Sequence, residues 1–197
     1  MLPFDFLSPF LELLAAILGF IYVYLIATEK ASGWFFGIVS AFFYAIFFWR
    51  SETWGLFSQQ IAYIILGIYG LFTWSDKKEE LPIRSLGQKI WIWISCGLLG
   101  GIIFLSLKSY FSTKHFLPQT LPTFTEFIDA QFFVFSLIAT WLTTRKMLEN
   151  WLIWIVVNSV GIIWFLSEQW WSTAVLYLAY LVLAINGFRK WKKAICA

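Results

Sequence analysis

The chain has 197 residues, 60% hydrophobic and only 13% charged, with a formal net charge of +3, and its mean hydropathy is +0.76. Soluble domains carry about twice that share of charge, so there is too little polar surface here to coat a water-soluble globule. A nucleic-acid binder is excluded as well, because no basic stripe lies outside the flanks of the apolar segments.

A helix of about 20 apolar residues crosses the hydrocarbon core of a bilayer. Seven stretches come close to that length, in order 8–27, 34–50, 54–74, 89–107, 126–144, 149–167 and 171–188. Lipid offers no partner to backbone amides, so all seven are predicted to be helices. The apolar runs are too continuous for alternating barrel strands. No Lys or Arg precedes Lys30, so the first stretch lacks the basic start of a cleaved signal peptide and reads as a retained span. Two connections are long. Residues 75–88 carry Asp76, Lys77, Lys78, Glu79 and Glu80, and residues 108–125 carry Pro118 and Pro122. They bracket the fourth span and mark it as a linker.

Seven crossings put the 28–33 turn, the 75–89 loop, the 145–148 turn and the C-terminus on one side. That side holds Lys30, Lys77, Lys78, Arg84, Lys89, Arg145, Lys146, Arg189, Lys190, Lys192 and Lys193, while the other holds only Arg50, Lys108 and Lys114. Basic residues favour the cytoplasmic side, so the N-terminus is predicted outside and the C-terminus inside.

The chain also repeats itself. A shift of 117 residues places Trp34 on Trp151, Trp54 on Trp171, Tyr63 on Tyr180, Gly70 on Gly187, Trp74 on Trp191 and Glu12 on Asp129, with no gap. Two copies of three spans in the same orientation need one extra crossing between them. The expected fold is therefore an all-α integral membrane protein in a 3+1+3 layout. Residues 1–75 form the first repeat, 76–125 a linker containing the fourth span, and 126–197 the second repeat with a cytoplasmic tail. Membrane repeats of this kind build transporters whose site lies between the copies near the midplane.

Polar side chains inside a span are costly unless paired, so their positions are informative. In the third span Gln59, Gln60, Tyr63 and Tyr69 stand out, and in the sixth Asn150, Trp151, Trp154 and Asn158 fall at helical spacing. In the seventh, Tyr177, Tyr180 and Asn186 occupy the places of Gln60, Tyr63 and Tyr69. Each Asn or Gln also has a plainer reading as glue between helices. Trp49, Trp54, Trp74, Trp170, Trp171 and Trp191 lie near span ends, where interfacial belts form. Glu12 and Asp129 read as helix-start carboxylates. Amides beside aromatic faces suit a neutral or mildly cationic ring bearing hydroxyls or a carboxamide. No Lys or Arg falls deep inside a span, which disfavours a phosphorylated solute.

Cys96 and Cys196 are far apart and suggest neither a disulfide framework nor a metal site. His115 is the single histidine and sits in a polar loop. With no metal-ligand spacing and no deep Ser/His/Asp set, an enzyme is not expected, and neither is a cofactor. A retinal protein would need a lysine inside the last span, but Lys190, Lys192 and Lys193 lie beyond it. An accessory membrane subunit without transport activity is the remaining alternative.

The segment from Glu149 through Asn150, Trp151 and Trp154 to Asn158, followed by residues 173–178, resembles the C-terminal half of the PnuC family. Residues 33–40 and the run from Gln59 to Trp74 are similar to that family's N-terminal half, and Asp129 with Ala139, Thr140 and Trp141 fit its fifth span. The resemblance covers about residues 8–193. It implies a bacterial inner-membrane transporter of nicotinamide riboside, an NAD precursor, with a 3+1+3 fold related to the sugar-transporting SWEETs. It also implies a homotrimer and facilitated diffusion, with the substrate trapped by cytoplasmic phosphorylation. By resemblance, the substrate contacts are Gln59, Gln60, Tyr63, Trp151, Trp154, Asn158, Tyr177, Tyr180 and Asn186. Asn158 stands where many relatives carry Asp, and Gln131, Phe132 and Phe133 where a pair of Thr is common. These departures leave thiamine or riboflavin as alternative substrates.

Overall fold

The computed structural model describes residues 4–75, 81–113, 123–167 and 171–196. His115, Pro118, Pro122, Trp170 and the charged run 76–80 lie outside them. Seven helices follow one another: α1 (Phe4–Ala27), α2 (Ser32–Arg50), α3 (Trp54–Ser75), α4 (Ile90–Thr113), α5 (Phe124–Thr144), α6 (Asn150–Ser167) and α7 (Trp171–Cys196). A 3-10 turn at Gly87–Lys89 leads into α4. Helices α1 to α6 each contain a stretch long and apolar enough to cross a membrane. The seventh, at 26 residues the longest, ends in the basic run Arg189, Lys190, Lys192 and Lys193.

Six helices close a ring. The packed pairs are α1–α2, α2–α3, α3–α5, α5–α6, α6–α7 and α7–α1. Helix α4 stands outside and packs on α5, leaving Trp91, Ile92, Leu99, Ile102 and Ile103 exposed. Large apolar side chains on the outer surface are costly in water and favourable in lipid.

The turns after α1 and α5 have one geometry. Lys30 N–H bonds to Leu25 O and Glu29 N–H to Ile26 O, each at 3.0 Å; Met147 N–H bonds to Leu142 O and Lys146 N–H to Thr143 O, also at 3.0 Å. This is the Schellman pattern, which usually places glycine at its left-handed position. Here Glu29 (φ +58°) and Lys146 (φ +51°) occupy it. A non-glycine residue in that region costs about 1 kcal/mol. The two side chains meet, with Lys146 Nζ 3.0 Å from Glu29 Oε2.

Beside this ion pair sits the main apolar core, built around four tryptophans. Trp34 stands edge-on to Trp74 (centroids 5.6 Å apart), Trp74 tilts against Trp191 (6.1 Å), and Trp191 is edge-on to Trp151 (5.3 Å). Trp34 lies over Gly70 and Trp151 over Gly187. Lys146 Nζ is 4.8 Å from the centre of the Trp74 ring, and Trp74 Nε1 donates to Thr144 O at 3.0 Å. Trp49, Trp54 and Trp171 are exposed, as a belt requires. Trp74 and Trp191 are not belt residues: Trp191 is fully buried and Trp74 is packed against the same core.

The loop before α4 is tied to the α5–α6 turn. Leu148 N–H donates to Arg84 O at 2.8 Å. Glu149 Oε1 accepts from Ser85 Oγ at 2.6 Å and from Leu86 N–H at 2.9 Å. The helix-start role expected of Glu12 and Asp129 falls elsewhere. Glu12 lies two turns inside α1, and Glu126 forms the capping box of α5 with Thr123.

Candidate functional site

The polar groups of α3 meet α5 inside the ring. Gln59 Nε2 donates to Ser136 Oγ at 2.7 Å and to Tyr63 Oη at 2.9 Å. Residues 59 and 63 are one helical turn apart, so the amide and phenol share a face of α3. The Ser136 hydroxyl itself donates to Phe133 O at 2.9 Å. Gln60, on the neighbouring face, is buried, and no described residue bonds to its amide.

Tyr22 of α1 joins this group to the tryptophan core. Its ring lies 5.6 Å from that of Trp34, and its phenol is an electrostatic neighbour of Tyr63. On the opposite side of the ring, Tyr177 lays its ring against Gly161 of α6 and 4.8 Å from Phe165. The Tyr180 hydroxyl fills the space above Gly19 of α1, beside Ser40 Oγ. Ser40 donates to Ala15 O at 2.7 Å, which fastens α2 to α1 there.

Helix α6 supplies Trp151, Trp154 and Asn158. Trp151 is fully buried against Gly187 and belongs to the core, the same arrangement as Trp34 over Gly70. Trp154 packs between the tryptophan core and a second cluster formed by Ala139, Leu142, Ile153 and Val157. Asn158 is buried one turn further along. Asn186 is exposed and lies on the outward stripe of α7 with Val175, Leu178 and Val182. The fold therefore buries or half-buries Gln59, Gln60, Tyr63, Tyr177, Tyr180, Trp154 and Asn158 between helices, keeps Trp151 within the tryptophan core, and leaves Asn186 exposed.

Ser136 was not among the residues singled out from sequence, because one hydroxyl in the run Phe132–Ala139 reads as helix packing. The signal that finds it is the difference between the copies. A shift of 117 places Tyr63 on Tyr180, Ser136 on Gly19 and Gln59 on Leu176. The phenols occupy matching contacts, α3 on α5 and α7 on α1, but only the first carries an amide; at the second the hydroxyl beside the phenol is Ser40 of α2.

The interior thus offers amides, phenols and indole faces. Among the described side chains the basic groups stand at helix ends: Arg50 closes α2, Lys89 precedes α4, and Arg145 and Lys146 form the α5–α6 turn. Such a site can hold an uncharged or cationic ring with hydrogen-bonding substituents and has no cation for a phosphate.

A family model described as nicotinamide mononucleotide transporter matches residues 9–193. A nicotinamide riboside transporter PnuC from Escherichia coli (strain K12) is 26% identical over 201 residues, covering 92% of this chain and 84% of that one. Its counterpart from Neisseria mucosa is 24% identical over 196 residues, covering 92% of this chain and 71% of that one. A crystal structure of the vitamin B3 transporter PnuC superposes with a TM-score of 0.70 at 23% identity, covering 95% of this chain and 82% of that one.

Proposed function

The chain belongs to the nicotinamide mononucleotide transporter family, and from that membership we propose that it carries nicotinamide riboside across the bacterial inner membrane. The observation that carries the riboside over its phosphate is the interior itself, where Gln59, Tyr63 and Ser136 form a neutral network and basic side chains stay at helix ends. The relatives named as riboside transporters support the same choice.

All seven helices cross the membrane in this reading, in a 3+1+3 layout. Its support is that every packed pair of one set has a counterpart: α1–α2 with α5–α6, α2–α3 with α6–α7, and α3–α5 with α7–α1. Transport proceeds by alternating access, one repeat rocking against the other around the central group. The tryptophan core and the Glu29–Lys146 pair close the end that bears the C-terminus. The substrate contacts are Gln59, Gln60, Tyr63, Trp154, Asn158, Tyr177 and Tyr180, with Trp151 supporting them from the core. Movement is facilitated diffusion, and phosphorylation in the cytoplasm makes uptake one-way. The working unit is a homotrimer, with the N-terminus outside.

Thermal stability of the purified protein tests this reading, because a ligand that binds only the folded state raises the melting temperature. Nicotinamide riboside is expected to raise it and the phosphorylated form is not. A rise with thiamine or riboflavin alone would move the substrate. No rise with any of them, together with no riboside uptake by proteoliposomes, would overturn the transporter assignment in favour of an accessory subunit.

A further inference from the structure

The orientation of an amide side chain is assigned from its hydrogen-bond network, and at Gln59 that network turns the NH2 to Ser136 and Tyr63. Ser136 has a single hydroxyl proton, which it gives to Phe133 O at 2.9 Å. Its oxygen then accepts from the Gln59 NH2, 2.7 Å away. The second N–H of that NH2 goes to the Tyr63 oxygen at 2.9 Å. Both donors of Gln59 are committed. Its carbonyl oxygen is bonded to no described residue and is not sealed off from its surroundings. The arrangement leaves the Gln59 carbonyl oxygen as an acceptor unused among the described residues.

The fold does not require this network. At the matching contact of α7 on α1, Leu176, Tyr180 and Gly19 replace Gln59, Tyr63 and Ser136, and the helices still pack. If the amide were only glue between helices, its absence from one of two equivalent contacts would have no reason. Fixing an amide also matters only to certain ligands. A hydroxyl can donate or accept and would bind either face of a rotating amide. A carboxylate can only accept, whereas a primary carboxamide brings an N–H.

We propose that Ser136 is a positioning residue that locks the Gln59 carbonyl oxygen toward the solute and so selects a carboxamide over the corresponding carboxylate. The inference rests on the riboside reading above and names the solute group that this contact reads. A carboxylate placed there meets the Gln59 oxygen with no proton between them. Without the serine oxygen, the amide rotates and offers NH2 instead.

The test is competition for riboside uptake into proteoliposomes by nicotinamide riboside and by nicotinic acid riboside, its carboxylate counterpart, in the unaltered protein and in Ser136→Ala and Ser136→Cys. Cysteine keeps the size of serine and is a poor acceptor, so it serves if alanine disturbs packing. The unaltered protein is expected to prefer the carboxamide at least tenfold, and both variants to lose most of that preference while their melting temperatures change little. An unchanged preference in a folded variant would overturn the role of Ser136 and leave the riboside reading standing. No competition by either riboside in the unaltered protein would overturn both.

Discussion

Gly70 and Gly187 set how closely the helices of each half approach. A methyl group added at Gly70 would stand 2.5 Å from the Trp34 ring, and at Gly187 2.7 Å from the Trp151 ring. Those rings are buried among other aromatics and cannot swing away. Alanine is the better helix former by about 1 kcal/mol, but overpacking of a rigid core costs about 1–3 kcal/mol. Gly70→Ala and Gly187→Ala are therefore expected to lower the melting temperature by similar amounts. Gly55→Ala, where an added methyl meets nothing within 4 Å, is expected not to lower it. Thermal unfolding of the three variants checks this. At the site, Gln60→Ala and Asn158→Ala are each expected to weaken riboside affinity about tenfold, since one lost hydrogen bond to a ligand contributes about 1 kcal/mol or more. Titration calorimetry reads that directly, and full affinity in both variants would remove these residues from the site. The repeat made the polar positions of α3 and α7 legible, because chance seldom aligns two phenols. At Asn186 the two copies differ in exposure. Its partner position, Tyr69, is long enough to stack on Trp141 at 5.4 Å. Asparagine is too short to make that reach, so at residue 186 the same helical position stays exposed.

Helix placement was legible because lipid penalises every unpaired amide, which forces long apolar helices with few alternatives. The predicted third and seventh spans begin where α3 and α7 begin, at Trp54 and Trp171. Side-chain destinations were less legible. Trp74 and Trp191 have the composition and position of belt residues, and only the contact of their rings between two helices that are not neighbours shows that they meet. Ser136 was invisible for the same reason: its partner Gln59 is 77 residues away. Among the turns, the joint between α1–α2 and α5–α6 carries its own prediction. Glu29 is partly exposed, so its pair with Lys146 contributes at most about 1 kcal/mol to stability. If transport follows the alternating access proposed above, its effect falls instead on the balance between the two open forms. Glu29→Lys is expected to change uptake rate several-fold through repulsion with Lys146, and the double exchange Glu29→Lys with Lys146→Glu to restore it. Failure of the exchange to restore uptake would separate the pair from gating.

For the whole molecule, the distribution of basic residues predicts that Cys196 lies in the cytoplasm. Cys196 is a free, exposed thiol near the end of α7. In a Cys96→Ala background, a membrane-impermeant maleimide is expected to label it in inside-out vesicles and not in intact cells. Labelling of intact cells would reverse the topology. The sequence marks the fourth helix as a linker, and in the structure α4 packs on α5, outside the ring of six. The shape of the interior did not follow, because it depends on which faces of six helices turn inward together.

One contact also bears on the ancestry of the chain. Glu29 and Lys146 are the same position in the two copies, and they touch. In a dimer of identical three-helix units, that position would meet itself across the symmetry axis, glutamate against glutamate or lysine against lysine. Attraction requires that the two copies differ at this position, as Glu29 and Lys146 do. The pair is thus a mark of joined halves no longer interchangeable, and two separated copies of either half would lack it.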